Sequence, residues 1–270
     1  MSWKYIDIHS HLNFSQFDED REDIIAEMKE KGIATITVGT DLKTSKEAVA
    51  LSQTHDHLFA TIGIHPTDAN ESFDKEAFEK LFHPKVVAVG ECGLDYYRGL
   101  RSGGEADPTY KEKQKKIFID QIEFARSHNL PLMLHCRASA GTMDAYEDIL
   151  QILTTNKPQL TTGNVHFFAG DIPIAKRFLD LGFSLSFDGP VTFTNDYDEV
   201  IKFIPKDMIM AETDAPFAAP VPYRGKRNSP LYVEHVAKRL AQIRGEDEGV
   251  FLGQLVENAV RVFNLGNPLQ

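Results

Sequence analysis

Short apolar segments alternate with segments of helical periodicity along the chain, and this alternation constrains the fold more than any other feature. Strands are predicted near residues 4–9, 33–39, 58–64, 86–91, 131–135, 163–167, 183–187 and 208–213. Helices are predicted near 19–31, 44–54, 74–82, 110–128, 142–154, 171–181, 196–203 and 229–243, with an additional C-terminal helix near 247–263. Strict alternation favours a parallel sheet, and eight repeats favour a closed (β/α)8 TIM barrel of the α/β class over an open sheet.

The composition is that of an ordinary globular enzyme. Of the 270 residues, 42% are hydrophobic and 26% are charged, and no linker, repeat or low-complexity tract divides them. A closed α/β barrel commonly has about 250 residues, so we predict a single domain over residues 1–270. We expect no leader, and no apolar stretch approaches the roughly 18 residues that a membrane helix needs. The sequence predicts a cytoplasmic protein with no membrane partner and no obligate protein partner.

Two histidines close together give the first indication of chemistry. Polar and apolar side chains alternate from Ile6 to His11, so a strand would point His9 and His11 to the same face. Neutral imidazole is a common ligand for zinc and similar cations, and two such side chains can converge on one ion. Histidines with this spacing are more often ordinary surface or core residues, so the pair alone leaves both interpretations open.

Four further side chains of metal-binding type follow later apolar runs. They are Glu91, His135, His166 and Asp214. Taken singly, the glutamate suits a loop acid and either histidine suits a hydrogen-bonded core residue. Together with the first pair, however, all lie at predicted carboxyl ends of strands, where barrel enzymes build their active sites. The joint placement predicts a metal centre at this end of the barrel.

Two more acids lie one step deeper on the same predicted strand faces. Glu212 precedes Asp214 by two residues, and Asp7 precedes His9 by two residues. A carboxylate in such a position can accept a hydrogen bond from a ligating histidine and fix its orientation. We therefore expect both acids to orient histidines from below.

Seven ordered motifs resemble the TatD family of metal-dependent deoxyribonucleases, a branch of the amidohydrolase-like barrels. The resemblance covers essentially the whole chain. The motifs are Asp7-Ile8-His9-Ser10-His11, Gly63-Ile64-His65-Pro66, Gly90-Glu91-Cys92-Gly93-Leu94-Asp95-Tyr96-Tyr97-Arg98, Leu134-His135-Cys136-Arg137, His166-Phe167-Phe168-Ala169-Gly170, Glu212-Thr213-Asp214-Ala215-Pro216 and Arg224-Gly225-Lys226-Arg227-Asn228-Ser229-Pro230.

The resemblance implies an exonuclease that uses two divalent cations bridged by Glu91. It implies that one cation is held by His9, His11, Glu91 and Asp214, and the other by Glu91, His135 and His166. Histidine-rich sites accept zinc or manganese, and magnesium is the third candidate.

Three residues are candidates for the catalytic steps. Cations about 3.5–4 Å apart, joined by Glu91, can activate a bridging water for in-line phosphodiester hydrolysis. Asp214 is the candidate general base. His65, predicted at the end of the third strand, is placed to assist the leaving sugar oxygen or to bind the phosphate. A turn residue that caps the loop is the alternative role for His65.

Candidate substrate-binding residues follow the predicted strands. Two residues after His135 comes an arginine that can hold a phosphate oxygen, with an ordinary salt bridge as the alternative. The long rim loop between residues 92 and 108 and the basic segment 223–227 carry aromatic and cationic side chains that suit a nucleic-acid end. For the basic segment, this role rests mainly on the resemblance. The candidates are His65, Arg137, Asp95, Tyr97, Arg98 and Arg224.

The charge balance limits the kind of nucleic acid. There are 29 basic and 40 acidic residues, a net charge of −11. Nonspecific affinity for DNA normally comes from many cations that neutralise phosphates, so a long duplex footprint is not expected. The predicted substrate is a single-stranded DNA end or a short oligonucleotide, bound weakly and with shallow salt dependence.

The chain departs from the family pattern at three places. Residues 138–143 separate Arg137 from Asp144, where an acid commonly follows at once, so the partner of the arginine is open. Ala169 stands where Ser or Thr is frequent, and Ser229 stands where Glu is frequent. An insertion around residues 101–108 alters the same rim. Because every proposed metal ligand is retained, we expect activity to survive while substrate preference differs.

Two other functions stay open. One is an amidohydrolase or lactonase acting on a small amide or ester, although many of those relatives bridge their metals with a modified lysine, whereas Glu91 stands here. The other is a metal-binding scaffold that acts through a protein partner. In that case, substitution of Asp214 would spare the function while abolishing any cleavage.

Overall fold

Eight parallel strands form the centre of the computed structural model, which describes residues 3–68, 72–97, 108–155 and 162–266. The strands are β1 (Tyr5–Ser10), β2 (Ile33–Val38), β3 (Leu58–Ile62), β4 (Val86–Asp95), β5 (Leu132–Arg137), β6 (Gly163–Val165), β7 (Phe183–Phe187) and β8 (Ile209–Ala211). Each strand pairs with the next along the chain. The barrel closes where Ser10 bridges Ala215 and the Asp214 amide donates to the His9 carbonyl at 2.9 Å. The predicted (β/α)8 class is confirmed.

Helices alternate with these strands. Those in the described residues are α1 (Arg21–Glu30), α2 (Leu42–Thr54), α3 (Lys75–Glu79), α4 (Pro108–Ser127), α5 (Asp144–Thr155), α6 (Ile172–Asp180), α7 (Asp198–Phe203), α8 (Val233–Arg244) and α9 (Glu248–Phe263). The predicted C-terminal helix is α9. It is tied to the sheet by Asn258, whose side-chain amide donates to the Lys206 and Ile209 carbonyls at 2.8 Å each.

Polar side chains set several of the helix starts. Asp41 accepts a hydrogen bond from the Thr44 amide and completes a capping box at α2. Asp171 accepts from the Ile174 amide at 3.0 Å and begins α6. Asp247 does the same for α9. Each cap fixes the residue at which a connecting segment ends and its helix begins.

Several strands differ in length from their predicted bounds, and β4, β6 and β8 do so beside proposed ligands. β4 runs past Glu91 as far as Asp95, because its pairing with β5 continues to Arg137. β6 and β8 are shorter than predicted. The chain turns through left-handed conformations at Phe167, with φ 45°, and at Asp214, with φ 54°. His166 and Asp214 therefore lie in loops directly after their strands.

Apolar packing continues from the strands into the C-terminal helix. Ile6 and Ile8 of β1 and Met210 of β8 belong to one buried cluster with Ala259 and Phe263 of α9. A larger cluster joins the strands to the surrounding helices. Among the described residues, no helix is both long enough and apolar enough to cross a membrane.

Candidate metal centre

The carboxyl end of β1 carries the first two histidines. His9 is fully buried, and the exposed fraction of His11 is 3%. The Nδ1 atom of His11 lies 3.1 Å from the Val38 carbonyl, which accepts its proton and leaves Nε2 with a free lone pair. The two Nε2 atoms face each other at 3.3 Å. Both lone pairs are thereby directed towards the same small volume.

Glu91 lies at the centre of the site and presents one oxygen to each side. Its Oε2 is 3.4 Å from His9 Nε2 and 3.7 Å from His11 Nε2. Its Oε1 is 2.7 Å from both His135 Nδ1 and His166 Nε2. Since the two oxygens of one carboxylate face separate pairs of imidazoles, this side chain can serve two neighbouring ions at once.

Asp214 completes the first group of donor atoms. Its Oδ1 lies 3.4 Å from His11 Nε2 and 3.8 Å from His9 Nε2. The side-chain amide of Asn228 fixes the loop by donating to the Thr213 carbonyl at 2.7 Å and the Phe217 carbonyl at 2.6 Å. The left-handed backbone of Asp214 is thus held by bonds on both sides and aims its carboxylate at the β1 histidines.

All six predicted ligands are brought together. Several groups of their donor atoms lie within 4.8 Å of one another, including His9 with His11 and Glu91, Glu91 with His135 and His166, and His9 with His166 and Asp214. Imidazole nitrogens packed against each other and against carboxylates form the donor set that transition-metal dications prefer. The residues present therefore fit a divalent cation.

The protonation of these groups is strongly coupled. Burial alone would lower the pKa of His166, but the adjacent carboxylates of Glu91 and Glu212 outweigh it and raise the pKa well above its usual value. Burial would raise the pKa of Glu91, but the imidazoles of His166, His65 and His9 hold it well below its ordinary range. The carboxylate is therefore ionised, as a ligand must be.

Glu212 supports two of the histidines from below. Its Oε1 accepts hydrogen bonds from the Phe167 amide at 2.5 Å and the Ser186 hydroxyl at 2.9 Å. Its Oε2 lies 3.4 Å from His166 Nδ1 and 3.8 Å from His9 Nδ1. A carboxylate on the Nδ1 side favours the tautomer whose Nε2 lone pair faces the centre.

Asp7 does not orient an imidazole, contrary to the expectation from its position. Its carboxylate accepts from the Thr213 amide at 2.9 Å, the Thr213 hydroxyl at 2.6 Å and the His9 amide at 3.2 Å. The short side chain reaches the backbone across the β1–β8 seam before it can reach a ring. Asp7 therefore fixes the two strands that carry ligands rather than a ligand itself.

His65 lies beside the second donor group. Its Nε2 is 3.2 Å from His135 Nδ1 and 3.5 Å from Glu91 Oε1. Its Nδ1 accepts the Thr67 backbone amide proton at 3.1 Å, so the ring proton of a neutral imidazole must be on Nε2. Burial lowers the pKa of His65 to about 3. The ring is therefore neutral and presents an N–H donor to the centre.

Asp95 lies in a different place from that expected of a substrate-binding residue. It belongs to β4 rather than to a rim loop, and its exposed fraction is 0%. Its Oδ2 lies 3.2 Å from His135 Nε2, on the side of the ring opposite the centre. Gln114 of α4 holds the Asp95 backbone by accepting from its amide and donating to its carbonyl, both at 2.9 Å. The carboxylate thus orients a histidine.

A cavity of about 520 Å³ opens above these groups. His11, Glu91, His135, His166 and Asp214 form its floor. The volume is within the range of sites that enclose a small molecule. The floor of donor atoms is therefore accessible to a ligand of the size of one nucleotide.

Comparison with known proteins agrees with this geometry. The family model described as TatD related DNase matches residues 6–264. The chain belongs to the TatD family. It is 38% identical over 265 residues to YabD of Bacillus subtilis (strain 168), named an uncharacterized metal-dependent hydrolase, covering 96% of this chain and 98% of that protein. Membership of this family confirms the prediction that the protein is a metal-dependent hydrolase.

Other TatD relatives have a more specific name or a solved structure. The 3'-5' ssDNA/RNA exonuclease TatD of Pectobacterium parmentieri (strain WPP163) is 33% identical over 273 residues, covering 96% of this chain and 99% of that protein. The crystal structure of YjjV, a TatD homologue from Escherichia coli K12, has a TM-score of 0.86 at 27% identity, covering 98% of this chain and 99% of that chain.

The rim residues of this TatD-family barrel are divided between the cavity and other surfaces. Arg137 lines the cavity, and its guanidinium lies 4.3 Å from the centre of the exposed Tyr97 ring. Asp144, the next acid in the sequence, is bound by Lys111 at 2.8 Å and by the Ser139 hydroxyl at 2.8 Å. Within the described part of the chain, Arg137 therefore packs on an aromatic ring, and Asp144 is bonded elsewhere.

Among the described residues, Arg224 is a predicted substrate-binding residue that is not brought to the cavity. Arg224 lies over the Phe193 ring at 4.1 Å and is not part of the cavity wall. Tyr223 beside it stacks on Tyr232 at 3.7 Å. Arg98 lies outside the described residues, as does the insertion that follows it.

Several residues of the TatD-family site were not found from the sequence. Asp188 directly follows β7 and is 1% exposed. Burial raises its pKa well above the usual value, and Glu212 and Asp214 raise it further. Its position after an apolar strand was the same signal that revealed the ligands. In contrast, the cavity-lining Phe14 and Phe217 lie in irregular loops and had no periodic signal.

Proposed function

We propose that this hydrolase is an exonuclease that removes nucleotides from single-stranded DNA ends, using two divalent cations of Mg²⁺, Mn²⁺ or Zn²⁺. The proposal rests mainly on the position of Glu91. Its Oε2 lies 3.4–3.7 Å from one pair of imidazoles, and its Oε1 lies 2.7 Å from a second pair. One bridging carboxylate between two donor groups is the arrangement of two-metal phosphodiester hydrolysis. The 3'-5' direction is proposed from the name of the Pectobacterium relative.

Two cations are proposed because the donor atoms divide into two sets. His9, His11 and Asp214 lie on the Oε2 side of Glu91, and His135 and His166 lie on its Oε1 side. Such a pair of cations polarises the phosphoryl group and the attacking water. The two cations would carry more positive charge than the two ligand carboxylates can neutralise, and the four imidazoles are neutral, so the cavity floor would keep a charge of about +2. Such a floor attracts a phosphate despite the protein's net charge of −11.

Asp214 is the proposed general base. Burial would raise its pKa, but the adjacent imidazoles of His11 and His9 lower it, so the carboxylate is ionised and can accept a proton. Its side chain is 14% exposed and lies at the wall of the cavity, where a water can approach it. A base must reach the proton that it removes, and this position meets that requirement.

His65 and Arg137 are proposed to bind the phosphate. His65 presents its Nε2 proton to the cavity floor and, with its low pKa, donates a hydrogen bond rather than a charge. Arg137 offers a permanent charge at the wall, held flat by Tyr97. Together they supply one neutral and one cationic donor to the cavity, which suits the two free oxygens of a phosphodiester.

Cleavage of end-labelled single-stranded DNA by metal-stripped protein, with one cation restored at a time, tests the proposal. Wild type should shorten a 5'-labelled strand stepwise and release a 3' label first as a mononucleotide. Glu91→Ala and Asp214→Ala should lose at least a hundredfold in rate, whereas Asp180→Ala, which removes an exposed carboxylate of α6, should retain it. A parallel RNA strand gives the sugar preference.

Two outcomes would overturn the proposal. One is the absence of cleavage with every cation, which would favour the small-molecule amidohydrolase or lactonase. The other is cleavage by Glu91→Ala at the wild-type rate, which would mean that the activity does not depend on the bridged site and would leave a scaffold role open.

A further inference from the structure

The cavity wall is divided into two chemically different halves. Because the strands follow one another around the barrel in chain order, neighbouring rim loops form continuous arcs. Among the described residues, the loops after β2 and β3 and the last residue of β5 contribute polar side chains to the wall, and the loops after β6, β7, β8 and β1 contribute aromatic ones. The polar half contains Thr40, His65, Thr67, Asp68 and Arg137, and the aromatic half contains Phe14, Phe167, Tyr197 and Phe217.

The aromatic half is accessible at one point in particular. The Phe217 side chain is 47% exposed, an unusual position for a large apolar ring at the mouth of a charged cavity. Its ring centre lies 6.1 Å from that of His11 and 6.5 Å from that of Phe14, and Phe14 in turn stacks on His11 at 4.5 Å. The exposed ring is therefore supported from behind by the site itself.

The backbone of Phe217 is fixed relative to the proposed general base. Its amide donates to the Asp214 carbonyl at 2.8 Å, and its carbonyl accepts from Asn228 at 2.6 Å. These bonds keep the backbone that carries the ring next to the backbone that carries the Asp214 carboxylate. A flat group stacked on the Phe217 ring would help to hold the phosphodiester bond of the same strand above Glu91.

We infer that the aromatic half of the cavity stacks an unpaired nucleobase on Phe217, while the sugar and phosphate of the same strand lie along the polar half. This inference rests on the proposed function and adds what selects a single strand. Aromatic rings stack on any base, so the contact carries little sequence preference. A base inside a duplex has both faces covered by its neighbours, so a duplex end must fray before any base other than the outermost one can offer a face to the ring.

Kinetics on matched oligonucleotides test the inference. Three single-stranded substrates are needed, one normal, one with an abasic terminal residue and one with an abasic penultimate residue. Phe217→Ala should lower kcat/KM on the normal strand roughly 5- to 150-fold, the range found when one base–aromatic stack is removed. The penalty should disappear on the strand that lacks the stacked base, and this strand identifies which nucleotide occupies the ring.

Two further variants separate stacking from bulk and from stability. Phe217→Trp should retain the activity on the normal strand, whereas Phe217→Leu should lose most of it, since leucine keeps the volume but has no π face. Phe82→Ala is the matched control, because this ring is also 47% exposed but precedes β4, at the other end of the barrel. Its kcat/KM should equal that of wild type.

The possible failures are distinguishable. If wild type cuts none of the three strands with any cation, the proposed function fails and the inference fails with it. If wild type cuts the normal strand but Phe217→Ala has no effect, or has the same effect on the normal strand and on both abasic strands, only the inference fails. An equal loss in Phe82→Ala would assign the effect to stability and would also overturn it.

Discussion

Glu212→Gln should weaken cation binding without removing any ligand. The substitution keeps the shape of the side chain, and the amide oxygen can still accept from the Phe167 amide and the Ser186 hydroxyl, as Oε1 does now. The amide nitrogen must then take the place of Oε2, which lies 3.4 Å from His166 Nδ1. The NH2 group of the glutamine would then face the N–H group at His166 Nδ1, so that two donors oppose each other. The histidine therefore favours the other tautomer, whose proton occupies the Nε2 lone pair that faces Glu91.

The magnitude should differ between the two donor groups. Loss of a carboxylate that orients a ligating histidine typically costs 10- to 100-fold in metal affinity, about 1.4–2.7 kcal/mol. His166, at 3.4 Å from Glu212, should experience the full effect, whereas His9, at 3.8 Å, should experience less. We expect the cation on the Oε1 side of Glu91 to weaken 10- to 100-fold and the other cation by less than tenfold.

Calorimetric titration of the metal-free protein with Zn²⁺ or Mn²⁺ gives both dissociation constants. Nitrogen-15 spectra of the imidazole rings in the metal-free protein, recorded at a pH above the raised pKa of His166 so that the ring is neutral, report the tautomer directly. Ser186→Ala is the control, because it removes a neutral bond to the same carboxylate at 2.9 Å but keeps the charge, and it should change affinity less than about threefold. Unchanged affinities and an unchanged His166 tautomer in Glu212→Gln would refute the reasoning.

Three further predictions concern stability. Gln121→Leu should lower the free energy of unfolding by about 2–4 kcal/mol in urea, because it leaves the amide and carbonyl of Ile64, now bonded at 2.8 and 3.0 Å, unpaired and buried; a loss below 1 kcal/mol would contradict this. A cation at a hundred times its dissociation constant should raise the free energy of unfolding by about 2.7 kcal/mol, and Glu91→Gln should remove most of that gain, as thermal melts would show. Asp144→Asn should cost about 1 kcal/mol at pH 7. Burial raises the pKa of Asp144, but hydrogen bonds from Lys111 and Ser139 outweigh it and hold the pKa below its usual range, so the stabilisation exists above the unfolded pKa of about 4 and disappears as pH falls towards the folded pKa. Urea curves that keep the same difference at pH 3 would exclude this linkage.

The fold was predictable because barrel closure depends on a repeated pattern. Each strand is a short apolar run that pairs with its neighbour in the chain, so alternation alone determines the order of the strands. The strand ends were less predictable. β8 ends at Ala211 because the chain turns into a left-handed conformation at Asp214, and that turn depends on bonds from Asn228, fourteen residues later in the chain. Contacts of that kind have no local signature.

The same distinction applies within the site. Ligands could be proposed one strand at a time, because each follows its own apolar run. Among the residues that orient them, Glu212 could be proposed from its spacing to Asp214, whereas Asp95 could not, because its bond to His135 crosses between strands. Asp95 was expected to contact substrate from a loop, yet continued pairing with β5 draws it into the barrel, where it meets the outer nitrogen of His135 at 3.2 Å. Gln114, on α4, fixes that residue from outside the sheet.

Two acids that are not proposed ligands, Asp95 and Glu212, lie beside the centre because two of the histidines need partners on their outer nitrogens. His135 faces the centre through Nδ1 and is oriented by Asp95 at Nε2, whereas His166 faces it through Nε2 and is oriented by Glu212 at Nδ1. Glu91 can use a single oxygen for both rings only because each ring has an acid on its far side that selects the opposite tautomer. Asp95→Asn should therefore push His135 towards the tautomer protonated at Nδ1 and weaken the Oε1-side cation about as much as Glu212→Gln does, while leaving His166 unchanged. Substituting both acids should then cost more than either alone in calorimetric titration, and a double variant no weaker than the single ones would show that the two rings are not oriented independently.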